Sequence, residues 1–443
     1  MPVDPVRDIA IDVLLRVFDR GMHLDMALDK SLRKRGMADR GRRFLTHLVY
    51  GTVRHRLLCD HVLTGVCTEP LDRLPSPILT ILRMAVFQAL FCSQVTRPAM
   101  VHTSVELAKR RGHAGLARLV NAVLRRAPDA LDQITFPDRD KNLARYLAIY
   151  HSMPLWVVRD WLAEFGPEQA EALCAASNTQ APVTLRANTL KNSAEMLIER
   201  LEKSGIAATK QTDIPEEVSI TDTGRAIRSK WFQQGCFMLQ DAASMLPVHL
   251  LEPEAGDRVL DLCAAPGGKT THIAQRTECG AHVVALDIAP GRIEGIRENL
   301  ERMDMRNVFV VCGDGARPPL TPGFDRVLVD APCSGLGTVR RHPDLKWRVT
   351  PESVSRLAQQ QAALLRSGVE LCKNGGLIVY AVCTFTRQET REVVQTVRKE
   401  GRVALENGPG YFDKWQTDKG QYRILPSAGA WDGFYLTRLR KQF

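Results

Sequence analysis

From about Gly256 to Val382 the chain repeats one pattern, a short apolar or β-branched run and then, in most cases, a helix-length stretch. The runs are Arg258–Cys263, His282–Asp287, Asn307–Cys312, Asp325–Asp330 and Gly376–Val382. Strands of this kind separated by helices have one stable solution, a parallel sheet covered by helices on both faces. The helix after the second run is visible in Ile293, Ile296, Leu300 and Met303, at intervals of three, four and three. The pattern fills well under half of the 443 residues, so further domains are expected before it.

Residues 1–145 follow a different rule. Val6, Ile9, Ala10, Val13, Leu14 and Val17 mark one helical face, and the same period returns around Phe44–Val53, Ile78–Phe91 and Leu116–Leu124. An all-helical domain is expected, ending near Pro128 and Pro137. Its most apolar stretch, Ile78–Phe91, is interrupted by Arg83 and is too short to span a bilayer. Charge separates this region from the rest: it holds 24 Lys+Arg against 15 Asp+Glu, whereas the remaining residues hold 36 against 35. The excess is grouped as Arg33-Lys34-Arg35, Arg42-Arg43, Lys109-Arg110-Arg111 and Arg125-Arg126, which suits polyanion binding better than general solvation.

Between these regions, a helix start at Pro154, a strand at Val183–Arg186 and a helix at Ser193–Lys203 give a small α/β connector. The expected domains are 1–145, 146–240 and 241–443. Asp4, Arg7, Asp8 and Asp12 interrupt any apolar leader, so a cytoplasmic protein is expected. The eleven cysteines include no pair at the spacing of zinc sites, which predicts reduced thiols and no metal.

The first strand of the repeating region runs into Cys263, Ala264, Ala265, Pro266, Gly267, Gly268 and Lys269, a small-residue turn that lets a ligand approach backbone amides. A P-loop ending at Gly268-Lys269-Thr270 would need glycine where Cys263 stands, and the spaced glycines of a dinucleotide fingerprint are absent. Asp287 ends the second strand, where a carboxylate can accept both hydroxyls of a ribose, and Asp314 follows the third. Loop and carboxylates share the carboxyl edge of the sheet, so a nucleoside cofactor without a phosphate chain, such as S-adenosylmethionine, is expected.

Strand four ends in Asp330-Ala331-Pro332-Cys333-Ser334 and strand five in Tyr380-Ala381-Val382-Cys383-Thr384, so two thiols arrive at that same edge. Methyl transfer to an amine commonly uses an Asn/Asp-Pro-Pro-aromatic turn, which Asp330–Cys333 is not. Carbon 5 of a pyrimidine is a poor nucleophile until a thiolate adds at carbon 6, and loss of the carbon-5 proton later expels the sulfur. This chemistry needs a nucleophilic cysteine, an acidic group for charge at ring nitrogen 3 and a base for elimination. Cys333, Cys383 and Asp330 can fill those roles. Cys59, Cys92, Cys263, Cys312 and Cys372 read as small core residues. Thr386–Glu389 has capping-box spacing, which predicts a helix start near Cys383. Arg340, Arg341, His342, Lys346 and Trp347 follow Cys333 closely and form the expected RNA-binding wall, able to hold phosphates and stack on a base.

The blocks DLCAAPGGKT at 261–270, ALDI at 285–288, GDG at 313–315, DAPCSGLGTVRRHPDLKW at 330–347, YAVCT at 380–384 and DGFYLTRL at 432–439 make the chain similar to the RNA cytosine carbon-5 methyltransferases of the Sun/Fmu type. QDAAS at 240–244 and the basic helical start resemble that family's pre-catalytic region and its NusB-like RNA-binding domain. The resemblance implies an α/β class I (Rossmann-like) methyltransferase domain that binds S-adenosylmethionine through Cys263–Lys269, Asp287, Asp314 and Asp330. It assigns the attacking thiol to Cys383 and elimination to Cys333. The implied activity is methylation of a cytosine in small-subunit (16S) ribosomal RNA by a monomer. A transfer RNA substrate, or an RNA-binding assembly factor without catalysis, are the alternatives. The chain departs from the family pattern at Thr384 and Thr390, where Ser and Asn are common, and keeps Glu389.

Overall fold

The structure, a computed structural model, describes residues 4–33, 37–426, 429 and 431–443. Lys34 and Arg35 of the first basic cluster lie outside the described residues. The chain forms two units, one of residues 1–179 with 339–348, the other of 180–338 with 349–443.

The first unit is built from helices Pro5–Phe18, Leu24–Arg33, Asp39–Arg54, Arg56–Val66, Ser76–Phe91, Arg97–Arg111, Ala114–Arg126, Leu143–Tyr150 and Leu155–Ala176. Asp4 caps the first by accepting from Val6 N at 2.9 Å, and Pro5 suits the first turn because an N–H there would lack a helical partner. Ser76–Phe91 lies in the core: Ile78, Ile81, Leu82, Met84, Ala85 and Val86 are fully buried. Arg83, which interrupts that apolar run, is held by Asp60 through two hydrogen bonds of 2.6 and 2.9 Å. The helical unit extends past the expected boundary at 145, because Leu143–Tyr150 packs on Arg56–Val66 and on the helix that follows. Pro154 stands at the N-cap of that last helix, and Gly166 (φ 77°) with Pro167 kinks it.

The second unit contains two sheets. The smaller is antiparallel, with β1 Val183–Ala187, β2 Ala208–Thr209, β3 Glu217–Ile220 and β4 Phe237–Leu239 in the order β2-β3-β1-β4. The larger comprises β5 Arg258–Leu262, β6 His282–Asp287, β7 Val308–Cys312, β8 Phe324–Asp330, β9 Cys372–Val382, β10 Val403–Leu405, β11 Gln416–Asp418, β12 Gln421–Ile424 and β13 Phe434–Lys441. Its order is β11-β12-β13-β9-β8-β5-β6-β7, with β10 paired to β13. β5 to β9, the five expected strands, pair in parallel, and β13 runs antiparallel to β9. The helix Pro290–Met303 buries Ile293, Ile296, Leu300 and Met303, the four residues its spacing predicts. Each such aliphatic burial is worth roughly 1.5–3 kcal/mol. This is the Rossmann-like fold expected, completed by an antiparallel edge. The strand order departs from β5 in both directions, so the loops after β5, β6 and β8 open on one crevice.

Candidate active site

The loop after β5, the expected cofactor loop, is shaped by its backbone. Cys263 and Gly267 take left-handed conformations at φ 72° and 93°, and a Cβ on Gly267 would lie 3.3 Å from Ile296, so glycine satisfies both the dihedral and the space. Gly267 is the N-cap of helix Gly268–Arg276, whose first amides have no partner within the helix. Asp287 is fixed beside this loop by accepting from Ala265 N and Ala289 N, both at 3.1 Å. Asp314 is exposed in the turn after β7, where it accepts from Ala316 N at 2.9 Å. Burial pushes the Cys263 thiol up, with Asp330, Asp261 and Asp287 adding to the effect, so this residue offers backbone and not a thiolate.

Behind the loop stands Asp261. Its Oδ2 accepts from Thr270 Oγ1 at 2.6 Å, while the buried Oδ1 has no hydrogen-bond partner among the described residues. Burial, reinforced by Asp330 and Asp287, pushes its carboxyl up to about 7. A small-residue turn, a helix start and an orphaned buried oxygen fit a compact ligand with hydrogen-bond donors and one carboxylate, as S-adenosylmethionine is.

β8 and β9 are parallel neighbours with Asp330 opposite Ala381, so the segments leaving them bring Cys333 and Cys383 together. The two free thiols lie Sγ to Sγ at 3.2 Å, both half-buried. The contact with Cys383 and burial push the Cys333 thiol well up, and Glu389 adds to this, so Cys333 keeps its proton. Asp330 Oδ2 accepts from Lys269 Nζ at 2.6 Å. Burial opposes the Lys269 charge, but Asp330, Asp261 and the charge of a Cys383 thiolate outweigh it and raise the ammonium. The structure therefore brings Lys269, Asp330, Cys333 and Cys383 to one place.

The segment after Cys383 differs from its expected form. Helix Arg391–Arg398 starts later, its N-cap Thr390 makes no side-chain cap bond, and the Thr386 hydroxyl is spent on the Glu389 carboxylate at 2.9 Å. Glu389 is fully buried and also accepts from Ser334 N at 2.7 Å, Ser334 Oγ at 2.6 Å and Gln361 Nε2 at 3.1 Å. This carboxylate locks the residue that follows Cys333. Thr384, a departure from the family pattern, has its Oγ1 3.0 Å from Ser334 Oγ and so joins the same network. Gly337 N donates to Cys383 O at 3.0 Å, and a Cβ on Gly433 would lie 2.7 Å from Gly337 Cα, which accounts for the glycine of the DGF block. Asp261, Gln361 and Glu389 have no assigned site role in the sequence reading; the retained Glu389 is its single signal.

Two expectations are corrected. Cys312, read as a core residue, is exposed. The expected RNA-binding wall belongs largely to the interior of the helical unit: Lys346 is 1% exposed, and its Nζ donates to Asn178 Oδ1 at 2.7 Å, Ser152 O at 3.2 Å and Arg54 O at 3.3 Å. All three ammonium hydrogens are thereby used. Trp347 Nε1 donates to Val53 O at 2.7 Å with its ring against the helical core, and Arg340 is buried. Arg341 is half-buried, and His342, the exposed member, pairs with Asp25 at 2.9 Å. Of the basic clusters, Lys109, Arg110 and Arg111 are paired with Glu106 and Asp8, whereas Arg125 and Arg126 have no ion pair among the described residues.

Fold and site define a class I methyltransferase. A family model for 16S rRNA methyltransferase RsmB/F matches residues 248–440, that of the NusB family residues 4–129, and that of the RsmF/B-like ferredoxin-like domain residues 153–225. The chain is 33% identical to the probable ribosomal RNA small subunit methyltransferase B of Bacillus subtilis over 99% of each, and 32% identical to ribosomal RNA small subunit methyltransferase B of Vibrio cholerae over 99% of this chain and 98% of that one. The crystal structure of PH0851 shares the fold at TM-score 0.82 and 24% identity over 99% of both chains. A methyltransferase homolog protein from Pyrococcus horikoshii does so at 0.58 and 28%, over 67% of this chain and 97% of that one. The chain belongs to the RsmB/F methyltransferase family, and its methyl donor is S-adenosylmethionine. Among the described residues no helix is long and apolar enough to cross a membrane.

Proposed function

We propose that this protein methylates carbon 5 of a cytosine in small-subunit ribosomal RNA. The observation that carries the reading is the pair of sulfurs 3.2 Å apart at the ends of two adjacent strands on the cofactor edge. The RNA class rests on the relatives, which are named for small-subunit ribosomal RNA. S-adenosylmethionine, when bound, supplies an electrophilic methyl group. Cys383 adds to carbon 6 of the cytosine as a thiolate, with the Lys269 ammonium held beside the site by Asp330. Asp330 is assigned to ring nitrogen 3, where charge develops. Once Cys383 is bonded to carbon, Cys333 releases its own proton to water, and the thiolate so formed takes the carbon-5 proton. The electrons of that C–H bond restore the ring double bond, the sulfur–carbon bond breaks, and Cys383 leaves as a thiolate.

For the RNA, the helical unit offers an open groove of about 870 Å³ lined by Arg97, His102, Lys109, Arg118 and Arg125, with no carboxylate in its lining. Its cations suit phosphates. The test is transfer of labelled methyl to purified ribosomal and transfer RNA, followed by nucleoside analysis. Label in 5-methylcytosine from ribosomal RNA alone is the expected result. Label from transfer RNA would retain the chemistry and change the substrate, and label in another nucleoside would overturn the carbon-5 reading. Bound cofactor with no transfer to either RNA would favour a non-catalytic assembly factor.

A further inference from the structure

Arg186, on β1 of the small sheet, is completely buried, yet no carboxylate is within ion-pair distance of it among the described residues. Its guanidinium is directed at the cofactor helix. Nη1 donates to Gly268 O at 2.5 Å and to Gln240 Oε1, Nη2 donates to Thr271 Oγ1 at 2.8 Å, and Nε donates to Gln275 Oε1 at 3.2 Å. Thr271 Oγ1 in turn donates to Gly267 O at 2.8 Å, so a chain of hydrogen bonds runs from β1 to the N-cap of helix Gly268–Arg276. Burial pulls the Arg186 pKa down to about 9, which still leaves it charged at neutral pH.

Joining two subdomains does not by itself call for this. Well-packed apolar residues often replace buried ions with no loss of stability. A cation here does something an apolar residue cannot: it adds positive potential at a helix start whose free amides already favour anions. The one anionic group of S-adenosylmethionine is its α-carboxylate. We propose that Arg186 is a positioning residue for the amino-acid end of the cofactor, holding the turn at Gly267–Gly268 in shape and strengthening its attraction for that carboxylate. The inference rests on the cofactor and is independent of which base is methylated.

The test compares two ligands on the full chain by calorimetry. S-adenosylhomocysteine carries the carboxylate, whereas 5′-methylthioadenosine lacks the whole amino-acid end. For R186M the Kd of S-adenosylhomocysteine is expected to rise about tenfold while that of 5′-methylthioadenosine changes less than about threefold. Equal weakening of both ligands would show a general distortion and overturn the proposal, as would no change in either. Should R186M not fold, T271V, which removes one acceptor on the helix, serves instead. It is expected to weaken S-adenosylhomocysteine selectively by about threefold, and equal loss for both ligands would again contradict the inference.

Discussion

A carboxyl that is buried with one oxygen unpartnered, as Asp261 is, binds its proton more tightly in the folded than in the unfolded chain. With a folded pKa of about 7 against an ordinary 3.8, its stabilising contribution is complete below about pH 4 and is lost as pH rises through 7. Asp261→Asn keeps an acceptor for Thr270 and removes the titration. Its stability relative to the parent protein is therefore expected to improve by on the order of 2 kcal/mol between pH 5 and pH 8, read by urea denaturation without cofactor. A constant difference across that range would contradict the assigned burial. Residues of this kind were not legible in the sequence, because Asp261 and Glu389 acquire their roles from what the sheet places around them. Cys333, Cys383, Asp330 and Lys269 were legible because each sits at a strand end or in a loop whose place follows from the alternation of strands and helices.

Elements with strong periodicity were read closely. The helix Pro290–Met303 and the strands β5 to β8 lie within a residue or so of their expected spans, because burial on a defined face dictates the pattern. The small antiparallel strands β10 to β12 are too short for a pattern of their own, and Thr386–Glu389 shows how local spacing misleads when the carboxylate it contains is claimed by tertiary donors, here Ser334 and Gln361. The Glu389 carboxylate is the link between the segments after β8 and β9. Glu389→Ala is expected to lose about 3 kcal/mol of stability, since it leaves the buried donors of Ser334 and Gln361 without their acceptor. It should also slow methyl transfer, with Glu389→Gln intermediate in both. Urea denaturation and single-turnover transfer check this, and a Glu389→Ala protein of parental stability and rate would refute it.

At the scale of the whole chain, charge asymmetry was visible at once, whereas the destination of residues 339–348 was not. Their composition reads as an exposed basic loop, but Lys346 and Trp347 are consumed by the carbonyls of the helical unit. Lys346→Met is expected to cost about 1–3 kcal/mol of stability, through three unsatisfied oxygens, and to leave the salt dependence of RNA binding unchanged. Charge reversal in the groove, Arg118→Glu with Arg125→Glu, should instead lower the slope of log affinity against log salt by about 1 to 2. Filter binding at several salt concentrations separates the two. A slope reduced by Lys346→Met and untouched by the groove variant would return the RNA contact to 340–348.

Division of labour between the two touching thiols is read out by trapping the protein on its RNA. Cys333→Ala is incubated with ribosomal RNA and S-adenosylmethionine and run on a denaturing gel. A covalent protein–RNA band is expected, absent from the parent protein and from Cys333→Ala combined with Cys383→Ala. No band from Cys333→Ala, or a band that survives removal of Cys383, would contradict it.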